Sequence, residues 1–387
     1  MTAMNSPLLD HCPSTLPAQA YFDPAWFEAE RARIWAREWV PAGRIDSFPD
    51  RTIRRVEIAG ASVIVLRDGA ELRAYHNVCR HRGAELCAAE TEPLRGKLVT
   101  CPYHAWAYAT DGRLVSTAFG TPTADFRKED NGLLPVALRL WNGFVFLCLA
   151  ETPPAFAPDI GIADAALSLA ALDNWPMDRL VVGHRLETTI ACNWKIFWEN
   201  YNECLHCPGI HSQLSARVPV YAKGIMSPAE SAETAAAPGP VYADGAETWT
   251  VSGRPCGPVF DGLTAAERAE GHRFVTTYPG SFVVAHVDYV RAMTLTPISP
   301  EETRLKAEWL FLPETLARPD FDLSDVVDFA STVIAEDAAA CEMNQRGLRS
   351  PAYVSGRLMP QEFDIARFHR WVLERVGNDV PNLKAES

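Results

Sequence analysis

The chain has 387 residues, of which 48% are hydrophobic and 22% are charged, a composition that excludes a disordered protein and predicts two folded domains. Its formal net charge of −13 excludes an electrostatic grip on nucleic acid or anionic lipid. No apolar run approaches the roughly 18 residues of a membrane-spanning helix, and residues 1–15 lack the apolar core of a secretory signal. Ten cysteines are too dilute for a disulfide scaffold. We expect six of them to be free thiols in a reducing cytoplasm: Cys12, Cys87, Cys148, Cys192, Cys256 and Cys341.

The first part of the chain changes from helical to β-type spacing. Residues 21–39 carry apolar side chains at helical intervals, which predicts an amphipathic helix in an N-terminal segment, 1–40, that packs on the C-terminal domain. Residues 51–147 contain short β-type runs separated by Ala-Gly, Asp-Gly and Asn-Gly turns. We therefore predict an all-β domain at 41–152, which ends in the proline-rich stretch 151–158.

The remainder of the chain, residues 153–387, mixes both kinds of element. Apolar alternation predicts strands, and helical spacing predicts helices, in the following places: strands at 181–191, 282–297 and 303–312, and helices at 325–347 and 361–376. The two parts together predict an α+β protein.

Two short clusters in the all-β domain offer two thiolates and two imidazoles. They are Cys79-Arg80-His81 and Cys101-Pro102-Tyr103-His104. In a Rieske [2Fe–2S] centre two His replace two Cys on one iron, which raises the reduction potential of the cluster. A structural zinc site is the alternative, but zinc sites usually separate their paired ligands by about two to four residues, whereas the first pair here is separated by one. The spacing therefore favours the cluster, and with it a protein that handles single electrons.

A second group of metal-binding side chains follows the proposed domain boundary. His206 and His211 are separated by a stretch that includes Pro208 and Gly209, which breaks the helix that would place the two rings on diverging faces. Two His and one carboxylate with open positions form the facial triad of non-haem Fe(II) oxygenases. Cys204 and Cys207 are the alternative ligands for a softer metal, although a thiolate would occupy the open positions. A single-electron cluster needs an acceptor, and this pair of His is placed to provide it.

These motifs resemble those of the α subunit of Rieske non-haem iron oxygenases, the ring-hydroxylating family. The resemblance rests on Asn77 to Ala84, Cys101 to Trp106 and the stretch Asn193 to His211, and it extends over nearly the whole chain. It implies an N-terminal all-β Rieske domain and a C-terminal helix-grip domain, at 153–387, with a curved antiparallel sheet over a mononuclear iron. It also implies a homotrimer, because electrons in this family cross from the cluster of one subunit to the iron of the next.

The resemblance also assigns roles to individual residues. The family pattern of an acid, two residues, His, four residues and His is met by Glu203, His206 and His211. It implies that Glu203 bridges His104 of one subunit to His206 of the next. The third iron ligand is implied in the segment that begins Glu336-Asp337. Adjacent helical positions diverge by about 100°, so both acids cannot face the iron; we choose Asp337, with Glu336 as the alternative.

The substrate class is suggested by the acid at position 203. Most ring-dihydroxylating members have Asp there, whereas the local sequence Glu199 to Cys207 is more similar to the oxygenases of quaternary ammonium compounds such as glycine betaine, stachydrine and carnitine. This implies a two-component monooxygenase that uses O₂ and electrons from a flavin or ferredoxin-type NAD(P)H-dependent reductase to N-demethylate a small betaine-type substrate. Hydroxylation or cis-dihydroxylation of an aromatic ring is the alternative. A Rieske electron carrier without a mononuclear iron is a third hypothesis.

Aromatic side chains of the C-terminal domain could bind a trimethylammonium group by cation–π attraction. The candidates are Trp249, Phe260, Tyr278, Phe282 and Tyr289, with His286 among them. The alternative interpretation is that these rings form the core of the curved sheet.

Overall fold

The computed structural model describes residues 7–161, 165–237, 239–243 and 245–377. The chain forms two compact units: residues 35–156 make one, and residues 1–34 together with 157–387 make the other. The first unit is therefore inserted into the sequence of the second. The structure divides at 34/35 and 156/157, whereas the sequence placed the domain limits at 40/41 and 152/153.

The inserted unit is built from antiparallel strands. Its seven-stranded sheet has the order β1-β10-β9-β4-β3-β2-β5, and a second sheet has the order β6-β7-β8. The strands are β1 (Val40–Arg44), β2 (Thr52–Ile58), β3 (Ala61–Asp68), β4 (Glu71–His76), β5 (Thr91–Pro93), β6 (Leu98–Thr100), β7 (Ala107–Ala109), β8 (Leu114–Ser116), β9 (Pro135–Trp141) and β10 (Phe144–Cys148). Two hairpins use the predicted two-residue turns, Ala59-Gly60 and Asn142-Gly143, in which both residues have positive φ.

The second unit contains a five-stranded antiparallel sheet of order β11-β15-β14-β13-β12. The strands are β11 (Val181–Ile190), β12 (His272–Thr277), β13 (Ser281–His286), β14 (Val290–Ser299) and β15 (Glu302–Phe311). The helices are α1 (Pro24–Glu30), α2 (Ala165–Leu169), α3 (Trp194–Tyr201), α4 (Cys207–Ile210), α5 (Ser212–Arg217), α6 (Ala232–Ala236), α7 (Ala265–Glu270), α8 (Pro313–Leu316), α9 (Leu323–Leu348) and α10 (Phe363–Val376). The predicted α+β class, with an all-β N-terminal domain and an antiparallel sheet in the C-terminal domain, is confirmed.

The helix predicted over residues 21–39 is wrong in its length. α1 begins at Pro24, where the Asp23 side chain accepts hydrogen bonds from the amides of Ala25 and Trp26, and its α-helical part ends at Glu30. A π-helical turn continues to Trp35. The pattern could not reveal this end, because the chain must leave the helix in time to pair Val40 with Leu147 across β1 and β10.

A buried carboxylate connects α1 to α3. Glu30 accepts hydrogen bonds from the indoles of Trp26 and Trp194, at 2.9 and 2.8 Å, and from the Lys195 ammonium at 2.5 Å. The side chains of Glu30 and Lys195 are fully buried. Burial raises the pKa of Glu30 and lowers that of Lys195, and their ion pair opposes both shifts. The network fixes the start of α3, which leads directly to Glu203.

The described part of the chain holds no helix with the length and apolar character needed to cross a membrane.

Candidate metal centres and substrate pocket

The two predicted cluster loops, which start at Cys79 and Cys101, share one backbone design. In each loop the cysteine amide donates to the carbonyl five residues later, at 2.8 Å, and the amide four residues later donates back to the cysteine carbonyl, at 3.0 Å. The chain reverses at Gly83 in one loop and at Ala105 in the other, both with positive φ. The sequences therefore form matching turns even though one pair of ligands has one intervening residue and the other has two.

The four candidate ligands in these loops differ in burial. Cys79 and Cys101 are each 2% exposed, whereas His81 is exposed and His104 is half-buried. The two imidazole centroids lie 4.7 Å apart. Buried sulfurs beside outward imidazoles suit a cluster with one sulfur-ligated and one nitrogen-ligated iron. The structure thus brings the four predicted ligands together.

Two further side chains contact this set, and sequence reasoning missed both. The Tyr108 hydroxyl lies 3.2 Å from Cys79 Sγ and accepts a hydrogen bond from the Arg80 amide at 3.0 Å. Because that amide occupies an acceptor site on the oxygen, the hydroxyl proton is free to point to the sulfur. Burial raises the pKa of the Cys79 thiol, and this hydroxyl opposes the shift. Trp106 stacks on His81 with centroids 4.8 Å apart. The signal in the sequence is the pair of aromatic residues that leads from the second loop into β7.

In the second unit, one carboxylate oxygen lies close to the Nε2 atoms of two imidazoles. His206 and His211 flank α4, and the single helical turn between them brings their ring centroids to 5.1 Å. Asp337, on α9, places Oδ1 at 2.9 Å from Nε2 of His211 and 3.5 Å from Nε2 of His206. Two Nε2 atoms and one carboxylate oxygen form the donor set of a facial triad, so these residues fit a mononuclear iron.

Two other carboxylates contact the Nδ1 atoms of the same two rings. Glu203 Oε1 lies 2.5 Å from Nδ1 of His206, and Glu336 Oε2 lies 2.8 Å from Nδ1 of His211. Glu336 and Asp337 thus contact opposite edges of one ring, and Glu336 orients the imidazole from behind. Burial lowers the pKa of His206, but its hydrogen bonds to Asp337 and Glu203 outweigh burial and raise the pKa to about 9. This concentration of negative charge favours a cation at the Nε2 side.

The alternative of a softer metal held by two thiolates is wrong in this structure. The Cys207 sulfur does lie within 4.8 Å of a ring nitrogen of His206 and of His211. However, Cys207 forms a disulfide with Cys204, with their Cα atoms 5.0 Å apart. The six cysteines outside the two motifs are free thiols, as expected.

A pocket opens beside these imidazoles. It is a cavity of about 80 Å³, walled by His206, His211 and Asp337, by the aromatic rings of Phe197, Tyr201, Tyr221, Trp249, Phe274 and Phe282, and by smaller apolar side chains such as Met293. Among the predicted aromatic residues, Trp249 and Phe282 line the pocket. Tyr278 borders a separate hollow, and Phe260, Tyr289 and His286 are buried elsewhere in the core. Which of these rings reaches the pocket depends on the tertiary fold, which the aromatic composition alone does not reveal.

Arg291 also lines this pocket and was not predicted. It lies on β14 within the apolar run Val290-Arg291-Ala292-Met293. A lone charge inside this buried apolar run is the signal that could have identified it.

The sequence matches two protein families. Residues 177–378 match the family described as ring hydroxylating alpha subunit (catalytic domain), and residues 38–127 match the Rieske [2Fe-2S] domain. The glycine betaine monooxygenase oxygenase subunit of Pseudomonas aeruginosa is 32% identical over 403 aligned positions, which cover 95% of this chain and 90% of the relative. The chloroplastic choline monooxygenase of Beta vulgaris is 27% identical over 367 positions, covering 93% and 76%.

Solved structures share the fold. The quaternary ammonium Rieske monooxygenase crystallised with L-carnitine has a TM-score of 0.64 at 22% identity, with 95% of this chain and 96% of that chain covered. Naphthalene 1,2-dioxygenase from Rhodococcus has a TM-score of 0.63 at 19% identity, with 95% of each chain covered. From the two matched families, the full-length relatives and the two donor sets, we conclude that this chain belongs to the α subunits of Rieske-type non-haem iron oxygenases, oxidoreductases that use a [2Fe–2S] cluster and a mononuclear iron.

Proposed function

We propose that the chain is the oxygenase component of a two-component monooxygenase that N-demethylates a small quaternary ammonium substrate. The observation that carries the proposal is the pocket itself, in which aromatic rings share the walls with His206 and His211. Aromatic faces attract a quaternary ammonium, by about 0.5–2 kcal/mol for each ring. A cavity of about 80 Å³ with mainly apolar and aromatic walls suits a compact cationic head group. Similarity to glycine betaine monooxygenase over 95% of the chain supports the same class.

The proposal assigns the metal ligands as follows. Cys79, His81, Cys101 and His104 hold the cluster, and His206, His211 and Asp337 hold the mononuclear iron. When bound, this iron supplies O₂ activation, and the aromatic walls hold an N-methyl carbon beside it and exclude water. A separate NAD(P)H-dependent flavin or ferredoxin-type reductase supplies two electrons in each turnover.

The reaction balances with one O₂, two electrons and two protons. One oxygen atom is inserted into a C–H bond of the methyl group, and the other leaves as water. The hydroxymethyl ammonium product loses formaldehyde and a proton, which leaves the demethylated amine. The residues of the chain have to bind, orient and enclose the substrate.

We also propose that Glu203 carries electrons between subunits of a homotrimer. Its Oε1 contacts Nδ1 of His206, the ring nitrogen other than the Nε2 that lies near Asp337. A second copy could present His104 to the same carboxylate. The mass of the purified protein in solution, measured by light scattering, tests the trimer directly, and a monomer with full activity would contradict it.

The test of the activity is a substrate comparison with a surrogate reductase and NADH. We expect formaldehyde in equal amount to the NADH consumed with a betaine-type substrate, and none with the Asp337→Ala variant. Naphthalene is the comparison compound for ring oxidation. A cis-dihydrodiol or phenol from an arene, with no formaldehyde from glycine betaine, carnitine or choline, would refute the proposal.

A further inference from the structure

A buried guanidinium forms part of the pocket wall. Arg291 is 5% exposed, and its Nε is buried without a hydrogen-bond partner. Among the residues that the structure describes, none forms a hydrogen bond or an ion pair with this side chain. Met293, two positions along β14, also lines the pocket, so both side chains point from the same face of the sheet. Arg291 therefore directs its charge toward the space beside the metal ligands.

The neighbours of Arg291 do not neutralise it. Its guanidinium lies 5.8 Å from the centroid of the Trp249 ring, which positions the group without cancelling its charge. Burial, and then the charge of Arg291, lower the pKa of His272 to about 4. The nearby His272 is therefore neutral and offers no counter-charge.

Two acids, Asp337 and Glu203, line the pocket together with Arg291. Both carboxylates are already engaged, because Asp337 contacts the two Nε2 atoms and Glu203 contacts Nδ1 of His206. An unpaired buried cation is costly, by several kcal/mol, unless a partner supplies the missing negative charge. Arg291 lies in the pocket wall, where a bound ligand can supply this negative charge.

We infer that Arg291 binds the carboxylate of the substrate, so that the pocket selects zwitterionic betaines over quaternary amines that lack a carboxylate. The inference rests on the proposed function and specifies its substrate class. A guanidinium pairs with a carboxylate through two parallel hydrogen bonds, which fixes the orientation of the substrate as well as its affinity. A cation without a carboxylate, such as choline, would leave Arg291 unpaired and be repelled by it.

The first experiment compares glycine betaine with choline in the reconstituted holoenzyme. We expect wild-type kcat/KM to be at least ~30-fold higher for glycine betaine, which corresponds to about 2 kcal/mol, the low end for a buried charge pair. Arg291→Gln should remove this preference, lowering kcat/KM for glycine betaine at least ~30-fold without lowering it for choline. Arg291→Lys should recover part of the preference, because lysine keeps the positive charge but cannot form the two parallel hydrogen bonds of a guanidinium. An equal loss for both substrates would overturn the inference.

The matched control is Arg304→Gln, which removes a half-exposed arginine from β15 of the same sheet. Arg304→Gln should leave both substrates unchanged. Arg291→Gln should not lower the melting temperature, because it removes an unpaired buried charge. The visible spectrum of the cluster and the iron content should also be unchanged in both variants.

A second experiment separates this inference from the proposed demethylation. tert-Butylacetate carries a carboxylate and a tert-butyl group but no nitrogen, and neohexanol is its uncharged counterpart. Calorimetric titration of the holoenzyme should show tert-butylacetate binding with a Kd that rises at least ~30-fold in Arg291→Gln, and weak neohexanol binding in both proteins. Equal tert-butylacetate affinity in the two proteins would refute the role of Arg291 even if formaldehyde is released. Arg291-dependent binding without formaldehyde from any amine would refute the demethylase and leave the carboxylate site standing.

Discussion

The two neighbouring acids of α9 should respond differently to substitution. Asp337 lies on the Nε2 side of both imidazoles, whereas Glu336 holds the opposite nitrogen of His211 at 2.8 Å. Asp337→Ala should therefore remove an iron ligand, and Glu336→Ala should remove only the partner that orients one ring. Loss of an outer partner costs about 10–100-fold in metal affinity, and we expect loss of a ligand to exceed that range.

The assay is iron content at a fixed free Fe(II) concentration, with the cluster spectrum recorded on the same sample. Wild-type protein should hold one iron beyond the two of the cluster. Asp337→Ala should keep the cluster spectrum, lose the additional iron and lose turnover. Glu336→Ala should keep the additional iron at saturating Fe(II), with an affinity reduced about 10–100-fold.

The matched control is Asp328→Ala, which removes an exposed acid from the same helix and should change neither iron content nor turnover. The assignment is wrong if Asp337→Ala retains the additional iron while Glu336→Ala loses it. Equal loss in both variants would mean that the two acids act as one unit, and that the opposite-edge geometry does not separate their roles.

Three further substitutions test other contacts. Tyr108→Phe removes the hydrogen bond to Cys79 Sγ, worth about 0.5–1.5 kcal/mol, and should lower the one-electron potential of the cluster by roughly 20–65 mV in a redox titration. Glu203→Gln should keep the cluster and the mononuclear iron but slow reoxidation of the reduced cluster by O₂ and substrate about 10–100-fold in stopped-flow absorbance. Glu30→Gln leaves Lys195 as an unpaired buried charge and should lower the free energy of unfolding by about 3–5 kcal/mol in urea denaturation.

Each of these has an outcome that contradicts it. An unchanged potential in Tyr108→Phe would show that the hydroxyl proton does not point to the sulfur. Wild-type reoxidation in Glu203→Gln would remove this carboxylate from the electron path. The double variant Glu30→Leu, Lys195→Met should recover much of the lost stability, and a double variant less stable than Glu30→Gln would contradict the cost assigned to the unpaired charge.

The parts of the site that the sequence predicted are those set by local spacing. The two cluster loops and the pair His206 and His211 each lie within a few residues, so one turn decides which side chains meet. Asp337 came from the family resemblance and a helical argument, and the structure places it beside those imidazoles. The role of Glu336 could not be predicted from the sequence. Helix geometry shows that the two neighbouring acids point about 100° apart, but it does not show that both contact the ring of His211.

The missing residues are those that tertiary register brings into place. Arg291 reaches the pocket because β14 pairs with β13 and β15, with Val284 and Trp309 opposite it. Tyr108 reaches Cys79 through the pairing of β7 and the fold of the first loop. The local sequence marks both residues as unusual, but it does not show what they contact, because their partners are distant in sequence or lie on different elements. The N-terminal helix was predicted too long for the same reason, because the pairing of Val40 with Leu147 in the sheet limits where the helix can end.

The insertion of residues 35–156 into the other unit also sets an order of events during synthesis. The inserted unit can complete its strands as soon as its last residues leave the ribosome, because all of them are contiguous. The larger unit cannot, since Glu30 must wait for Lys195, about 165 residues later, before either charge is paired. The first segment therefore spends much of translation without its partner. A fragment beginning at residue 157 would lack Glu30 altogether, so the catalytic unit cannot be shortened to its C-terminal segment without stranding Lys195.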